Sequence, residues 1–119
     1  MKKFPKRKDL QEPKKSPHAL LLLLFDGAMR YARRSIRCIE AEDDAGRDLY
    51  TKKAQAIVQE LRDGWDHRPS PELTHAMQAL CEYILGRLAR GAAEDDTAAI
   101  EEAVELLATL RTGFADSNQ

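Results

Sequence analysis

One stretch near the start of the chain limits what it can fold into: residues 16–39, SPHALLLLLFDGAMRYARRSIRCI. Ser16 is a favoured helix N-cap because its hydroxyl accepts a free N–H of the first turn, and Pro17 suits the first helical position. The apolar residues then recur at helical spacing, which predicts one helix of about 24 residues, about 36 Å long. Its first half is apolar nearly all round. This helix therefore needs cover on more than one side, from its own domain or from a partner.

Three further segments have apolar residues three to four positions apart. They predict helices over residues 45–65, 71–90 and 94–114. Gly91 is predicted to end the third helix, because glycines are common just past a helix C-terminus. Leu73 is predicted to begin the inward track of that helix. Because no alternating strand pattern occurs and short loops make successive helices antiparallel, the sequence predicts an all-α fold, an antiparallel up-down four-helix bundle.

The chain divides into a charged tail and one domain. Residues 1–15 carry seven Lys or Arg against two acidic residues and few apolar ones. Such a segment cannot offset its own ordering entropy, so it is predicted to be a flexible basic tail. The domain prediction is a bundle over residues 16–115 and a frayed C-terminus over 116–119. The tail suits solvation, with docking on an acidic partner or on nucleic acid as alternatives.

Residue spacing points away from an enzyme, a metal protein or a membrane protein. The three histidines lack ligand spacing, and no Glu-x-x-His or Gly-rich phosphate loop occurs, so we expect no catalytic residue, metal or cofactor. Cys38 and Cys81 suit small core residues in a reducing compartment. The apolar run over 19–25 is far shorter than the roughly 18 residues of a membrane span, so no membrane insertion is expected. A cleaved signal peptide is disfavoured as well.

The helices carry more apolar residues than four inward stripes need. The extra residues are Leu22, Met29, Ala56, Val58, Cys81, Tyr83 and Leu106. They indicate either a wide core stripe in a small bundle or surface grooves that accept amphipathic helices from a partner. Composition alone does not choose between these interpretations.

Five motifs follow one another along the predicted helices. They are Ser16-Pro17 with Leu20–Leu24, Phe25-Asp26-Gly27-Ala28, Lys53-Ala54-Gln55 with Glu60-Leu61, Tyr83 with Arg87-Leu88, and Leu106-Leu107 with Leu110-Arg111. Over residues 16–115 this combination resembles the flagellin export chaperones, the FliS family. The chain departs from the family pattern in its tail, which is Lys/Arg-rich and has no tyrosine. It also has Pro69-Ser70-Pro71 where the family often has a glycine pair.

The resemblance implies a cytoplasmic chaperone without enzymatic activity. Such a protein binds the disordered C-terminal segment of flagellin, prevents its premature polymerisation and delivers it to the flagellar type III export apparatus. The client-binding residues expected on this basis are Leu22, Met29, Tyr31, Gln55, Val58 and Tyr83. For Val58, the expectation is that an aspartate weakens client binding while the fold survives.

Other functions remain open at this point. The first is a helical adaptor or secretion chaperone for a client other than flagellin, which the altered tail favours. The second is a regulator that binds nucleic acid through the tail, which the acidic domain disfavours, so no nucleic-acid partner is expected. The sequence leaves open whether the free protein is a monomer or a homodimer.

Overall fold

A computed structural model describes residues 16–64 and 70–117. Over these residues the chain forms four α-helices and no strand. They are α1 (Pro17–Glu40), α2 (Asp44–Asp63), α3 (Pro71–Glu94) and α4 (Thr97–Ser117). Around the bundle, α1 packs on α2 and α4, and α3 packs on the same two helices. Because short connections make successive helices antiparallel, the fold is an all-α, up-down four-helix bundle, as predicted.

Some sequence predictions lie outside the described residues. These are the basic tail over 1–15, the end of the second helix at Trp65, and the last two residues. At the other end of the described chain, α4 continues through Gly113 to Ser117 and so extends into the segment predicted to fray. The division into tail, bundle and frayed end therefore stays a prediction. No helix in the described ranges is both long and apolar enough to span a bilayer.

Side chains cap the start of every helix. The hydroxyl of Ser16 accepts the N–H three residues further on at 3.0 Å, and that of Ser70 does the same at 3.2 Å. A proline follows each serine. The carboxylates of Asp43 and Asp96 each accept a hydrogen bond from the N–H three residues further on, at 2.9 Å in α2 and 3.3 Å in α4. The serine–proline pairs start α1 and α3 where the sequence predicts, because capping and a preset φ act locally.

The end of α3 differs from the prediction. Gly91 is buried inside the helix, and the chain turns only at Asp95, whose backbone is left-handed with φ 52° and ψ 39°. A Cβ at Gly91 would lie 2.7 Å from Cδ1 of Ile100 and 3.0 Å from the carbonyl oxygen of Asp96. The prediction of Gly91 as a helix stop was wrong, because this glycine instead lets α4 come close to α3.

The core takes residues from all four helices. Its largest fully buried apolar side chains are Phe25, Val58, Cys81, Ile84, Leu88, Ile100 and Leu107. Buried Ser35 satisfies its hydroxyl by donating to the carbonyl oxygen of Ala32 at 2.7 Å. Leu73 is an exception to the predicted inward track, since its side chain is 48% exposed. It lies in the first turn of α3, where the helix reaches the end of the bundle.

Candidate functional site

The surface between neighbouring helices offers grooves. In the described ranges, no group of three or more His, Cys, Asp or Glu is placed to hold a metal ion. One groove of about 280 Å³ lies between α3 and α4, and another of about 280 Å³ lies between α1 and α4. Both are open to solvent along the bundle, so they suit extended segments better than small ligands.

The α3–α4 groove is mostly apolar. It is lined by Leu73, Thr109, Leu110, Gly113 and Phe114. Leu73 forms an exposed wall, and a Cβ at Gly113 would meet no atom within 4 Å, so the groove is open at that point. The ring of Phe114 lies 5.7 Å from the ring of Phe25 in the core, which holds the floor in place. This arrangement can accept an apolar side chain from a partner helix.

The α1–α4 groove has a charged rim instead. Its lining combines Ile36 and Val104 with the charged residues Arg33, Glu101 and Glu105. On the same side of the bundle, Arg111 of α4 donates from Nε and Nη2 to the two oxygens of Asp26 at 2.5 and 3.1 Å. These hydrogen bonds raise the pKa of Arg111. This two-point contact fixes the register of α4 against α1.

A second polar cluster joins α3 to α4. The phenol of Tyr83 donates to Oε2 of Glu102 at 2.7 Å, and Nε of Arg87 lies 2.7 Å from Oε1 of the same carboxylate. The hydrogen bond to Glu102 raises the pKa of Tyr83. The hydroxyl is therefore already engaged, while nearly half of the side chain stays exposed to a partner.

The residues predicted on α1 face two different neighbours. Leu22 and Met29 lie one helical turn either side of Asp26, so they share its side towards α4. Tyr31 faces α2, where its ring stacks on that of Tyr50 at 6.0 Å between centroids. Leu22 and Tyr31 are half-buried, which leaves part of each side chain open to contact.

The residues predicted on α2 and α3 face two further pairs of neighbouring helices. Gln55 lies two turns before Arg62, whose guanidinium meets Glu82 of α3 at 2.7 Å, so Gln55 lies towards α3 and is half-buried. Tyr83 lies towards α4. The predicted residues thus face all four pairs of neighbouring helices rather than gathering in one site.

Val58 and Met29 belong to the core of the free bundle. Val58 is 0% exposed and Met29 is 6% exposed. An aspartate at Val58 would bury an unpaired charge, so the structure leads us to expect unfolding rather than a surviving fold. Neither side chain reaches a partner unless the bundle opens.

Sequence reasoning missed the α3–α4 groove. It placed Leu73 on an inward track, although this side chain is exposed, and the Leu110 and Phe114 side chains of the same groove are only half-buried. Gly113, between two of them, was the available signal. A glycine on the apolar side of a helix leaves room where a neighbouring side chain would otherwise fill the surface.

Comparison with known proteins identifies the family. The family described as Flagellar protein FliS matches residues 5–119. The flagellar secretion chaperone FliSB of Pseudomonas aeruginosa is 27% identical over 99 residues, covering 83% of this chain and 79% of that protein. The flagellar secretion chaperone FliS of Salmonella typhimurium is 31% identical over 96 residues, covering 80% of this chain and 71% of that protein. The flagellar secretion chaperone FliS of Bacillus subtilis is 27% identical over 104 residues, covering 87% of this chain and 77% of that protein. Since the family match spans nearly the whole sequence, the chain belongs to the FliS family.

Proposed function

We propose that this protein is a cytoplasmic flagellar export chaperone. It binds the C-terminal segment of flagellin, prevents premature polymerisation and delivers its client to the flagellar type III export apparatus. The observation that carries the proposal is the family match over residues 5–119, together with the secretion-chaperone names of the similar proteins.

The distribution of exposed apolar side chains supports a long, unfolded client. Five large apolar residues are about half exposed: Leu20, Leu23, Leu49, Leu73 and Tyr83. They lie on three helices, and Leu22, Tyr31, Gln55 and Tyr83 face four different pairs of neighbouring helices. A compact client cannot contact residues on all sides of the bundle at once. A disordered segment that folds as it binds can follow the surface and contact several.

The charged rims supply orientation rather than bulk affinity. Burial of client side chains in the apolar grooves provides the main attraction, minus the cost of ordering the segment. Ion pairs such as Arg62 with Glu82 join neighbouring helices of the bundle. In this proposal the protein catalyses no reaction, and the client is released through competition at the export apparatus.

Calorimetric titration with the C-terminal segment of flagellin from the same organism tests the proposal. We expect one-to-one binding with a large negative heat-capacity change, because apolar burial coupled to folding has that signature. A well-folded protein that gives no heat with this segment would overturn the flagellin assignment and point to another client. The family assignment would stand in that case.

Two matched leucines test the place of binding. Leu73 is 48% exposed in the α3–α4 groove, and Leu49 is 49% exposed near the opposite end of the bundle, on α2. We expect Leu73→Asp to weaken binding at least about tenfold, since it removes about 1.5 kcal/mol of apolar burial and adds a charge to the groove. Leu49→Asp is the comparison for charge and exposure, and we expect a smaller loss there because Leu49 lines neither described groove. Equal effects of both changes would argue against the groove as a principal contact.

A further inference from the structure

Four arginines occupy one side of α1 and have no carboxylate partner among the described residues. Arg30, Arg33, Arg34 and Arg37, here called the arginine face, are all exposed. Within residues 16–64 and 70–117, none of them forms an ion pair, whereas every other described arginine does. Residues 29–38 contain no acidic residue at all.

The positive charges of the arginine face repel one another in the free protein. The arginines follow the i, i+3, i+4, i+7 spacing, which brings like charges together on adjacent turns, and such pairs destabilise a helix. Glu101 and Glu105 share the α1–α4 groove with Arg33 but form no ion pair with it. An anionic partner would remove the repulsion and gain several contacts at once.

A tyrosine pair holds part of this face in place. The guanidinium of Arg34 lies 4.5 Å from the ring centre of Tyr50 and donates to its hydroxyl at 3.0 Å. The guanidinium of Arg30 lies 5.9 Å from the ring centre of Tyr31, and Nζ of Lys53 lies 5.7 Å from the same centre. Lys53 extends the positive surface onto α2. Side chains held in this way lose less freedom when a partner binds.

We propose that the arginine face is a docking surface for an acidic helical segment of a partner protein. It adjoins the α1–α4 groove, whose lining includes Arg33 but not Arg30, Arg34 or Arg37. The face is about 10 Å long, at 1.5 Å per residue, which matches two turns of a helix with carboxylates on one side. The chain's own tail is excluded by charge, because it is strongly basic. This inference does not rest on the proposed function.

Nucleic acid fits the same surface less well. Single strands bind through free aromatic faces on which bases stack. Here the two tyrosine rings stack on each other at 18° and are approached by the protein's own cations. The arginine face is also so short that it would contact only a few phosphates of a duplex, whereas the affinity for nucleic acid grows with the number of phosphates contacted.

Fluorescence anisotropy with the full-length chain tests the docking surface. The probe is a labelled helical peptide of about 20 residues with glutamates at i, i+3, i+4 and i+7, and its control has the same composition with glutamates all around the helix. We expect the matched peptide to bind at least about fivefold more tightly and to weaken between 50 and 300 mM salt. Equal binding of the two peptides would overturn the proposal.

Charge-reversal variants locate the site. Arg37→Glu should weaken the matched peptide at least about fivefold, while Lys52→Glu, an equal change at an exposed cation of α2 outside the face, should have little effect. Binding of the flagellin segment should not change in either variant. Equal loss in both variants, or loss of flagellin binding in Arg37→Glu, contradicts the proposed docking surface.

Two further measurements decide the occupant. Tighter binding of a single-stranded 20-nucleotide RNA than of the matched peptide, abolished by Arg37→Glu, would assign the face to nucleic acid instead. Sedimentation at increasing protein concentration identifies a second copy of the chain. A dimer that Arg37→Glu dissociates would overturn the proposal in favour of self-association, whereas a sedimentation coefficient unaffected by this variant supports it.

Discussion

Gly86 and Gly91 lie on the same helix, and replacing each by alanine tests how closely α3 and α4 pack. Gly86 is exposed, and a Cβ there would meet no atom within 4 Å. Neither glycine has a positive φ, so alanine fits both backbones. Because alanine restricts the unfolded chain and favours helix, Gly86→Ala should stabilise the protein by about 1 kcal/mol.

At Gly91 the same gain is opposed by a steric clash. The new Cβ would meet Cγ1 of Ile100, would lie 2.7 Å from its Cδ1, and would lie 3.0 Å from the backbone oxygen of Asp96. Ile100 is fully buried and cannot turn towards solvent. Overpacking of this kind costs about 3 kcal/mol at the upper end of its range, so the net loss after the helix gain is about 2 kcal/mol.

Thermal unfolding followed by far-UV circular dichroism measures both effects. At about 4 °C per kcal/mol for a domain of this size, Gly86→Ala should raise Tm by about 4 °C and Gly91→Ala should lower it by about 8 °C. Unchanged helical signal at low temperature is the control for the fold. A Tm for Gly91→Ala equal to or above that of Gly86→Ala would refute the close α3–α4 contact.

Two further predictions concern buried side chains. Val58→Asp should lower the free energy of unfolding by more than about 4 kcal/mol and abolish cooperative unfolding, because the buried charge has no partner. Val58→Ala should remain folded. A stable Val58→Asp bundle would contradict the placement of Val58 in the core. Burial raises the pKa of the Cys81 thiol to about 11 from 9.0. The neutral thiol therefore stabilises the fold below about pH 9, and this contribution is lost as pH rises towards 11. The denaturant midpoints of wild type and Cys81→Ala, measured at pH 8 and pH 10, should lie closer together at pH 10. An equal difference at both pH values would argue against the raised pKa of Cys81.

The parts of the fold that depend on nearby residues are predictable from sequence. Ser16 and Ser70 satisfy N–H groups three residues away, so their serine–proline pairs mark two helix starts correctly. The end of α3 is different. Whether Gly91 stops a helix or lies inside one depends on Ile100, which reaches it only after α4 has folded back. Local rules cannot distinguish these roles.

The candidate site is less predictable for a similar reason. Apolar spacing gives the same signal for a core residue and for a groove residue, and only the positions of neighbouring helices separate them. Val58 is in the core, while Leu73 is exposed because its turn lies at the end of the bundle. Charge patterning indicates the arginine face, but only the structure shows that its members form no ion pair with any residue in 16–64 or 70–117.

The contact between Asp26 and Arg111 joins positions 85 residues apart. During synthesis at about 5–20 residues per second, the side of α1 that faces α4 waits roughly 4–17 s for Arg111 to be made. Throughout that interval the leucine-rich half of α1 has no C-terminal helix to cover it. A nascent chain of this protein thus exposes, for several seconds, the kind of apolar helix that cellular holdases bind.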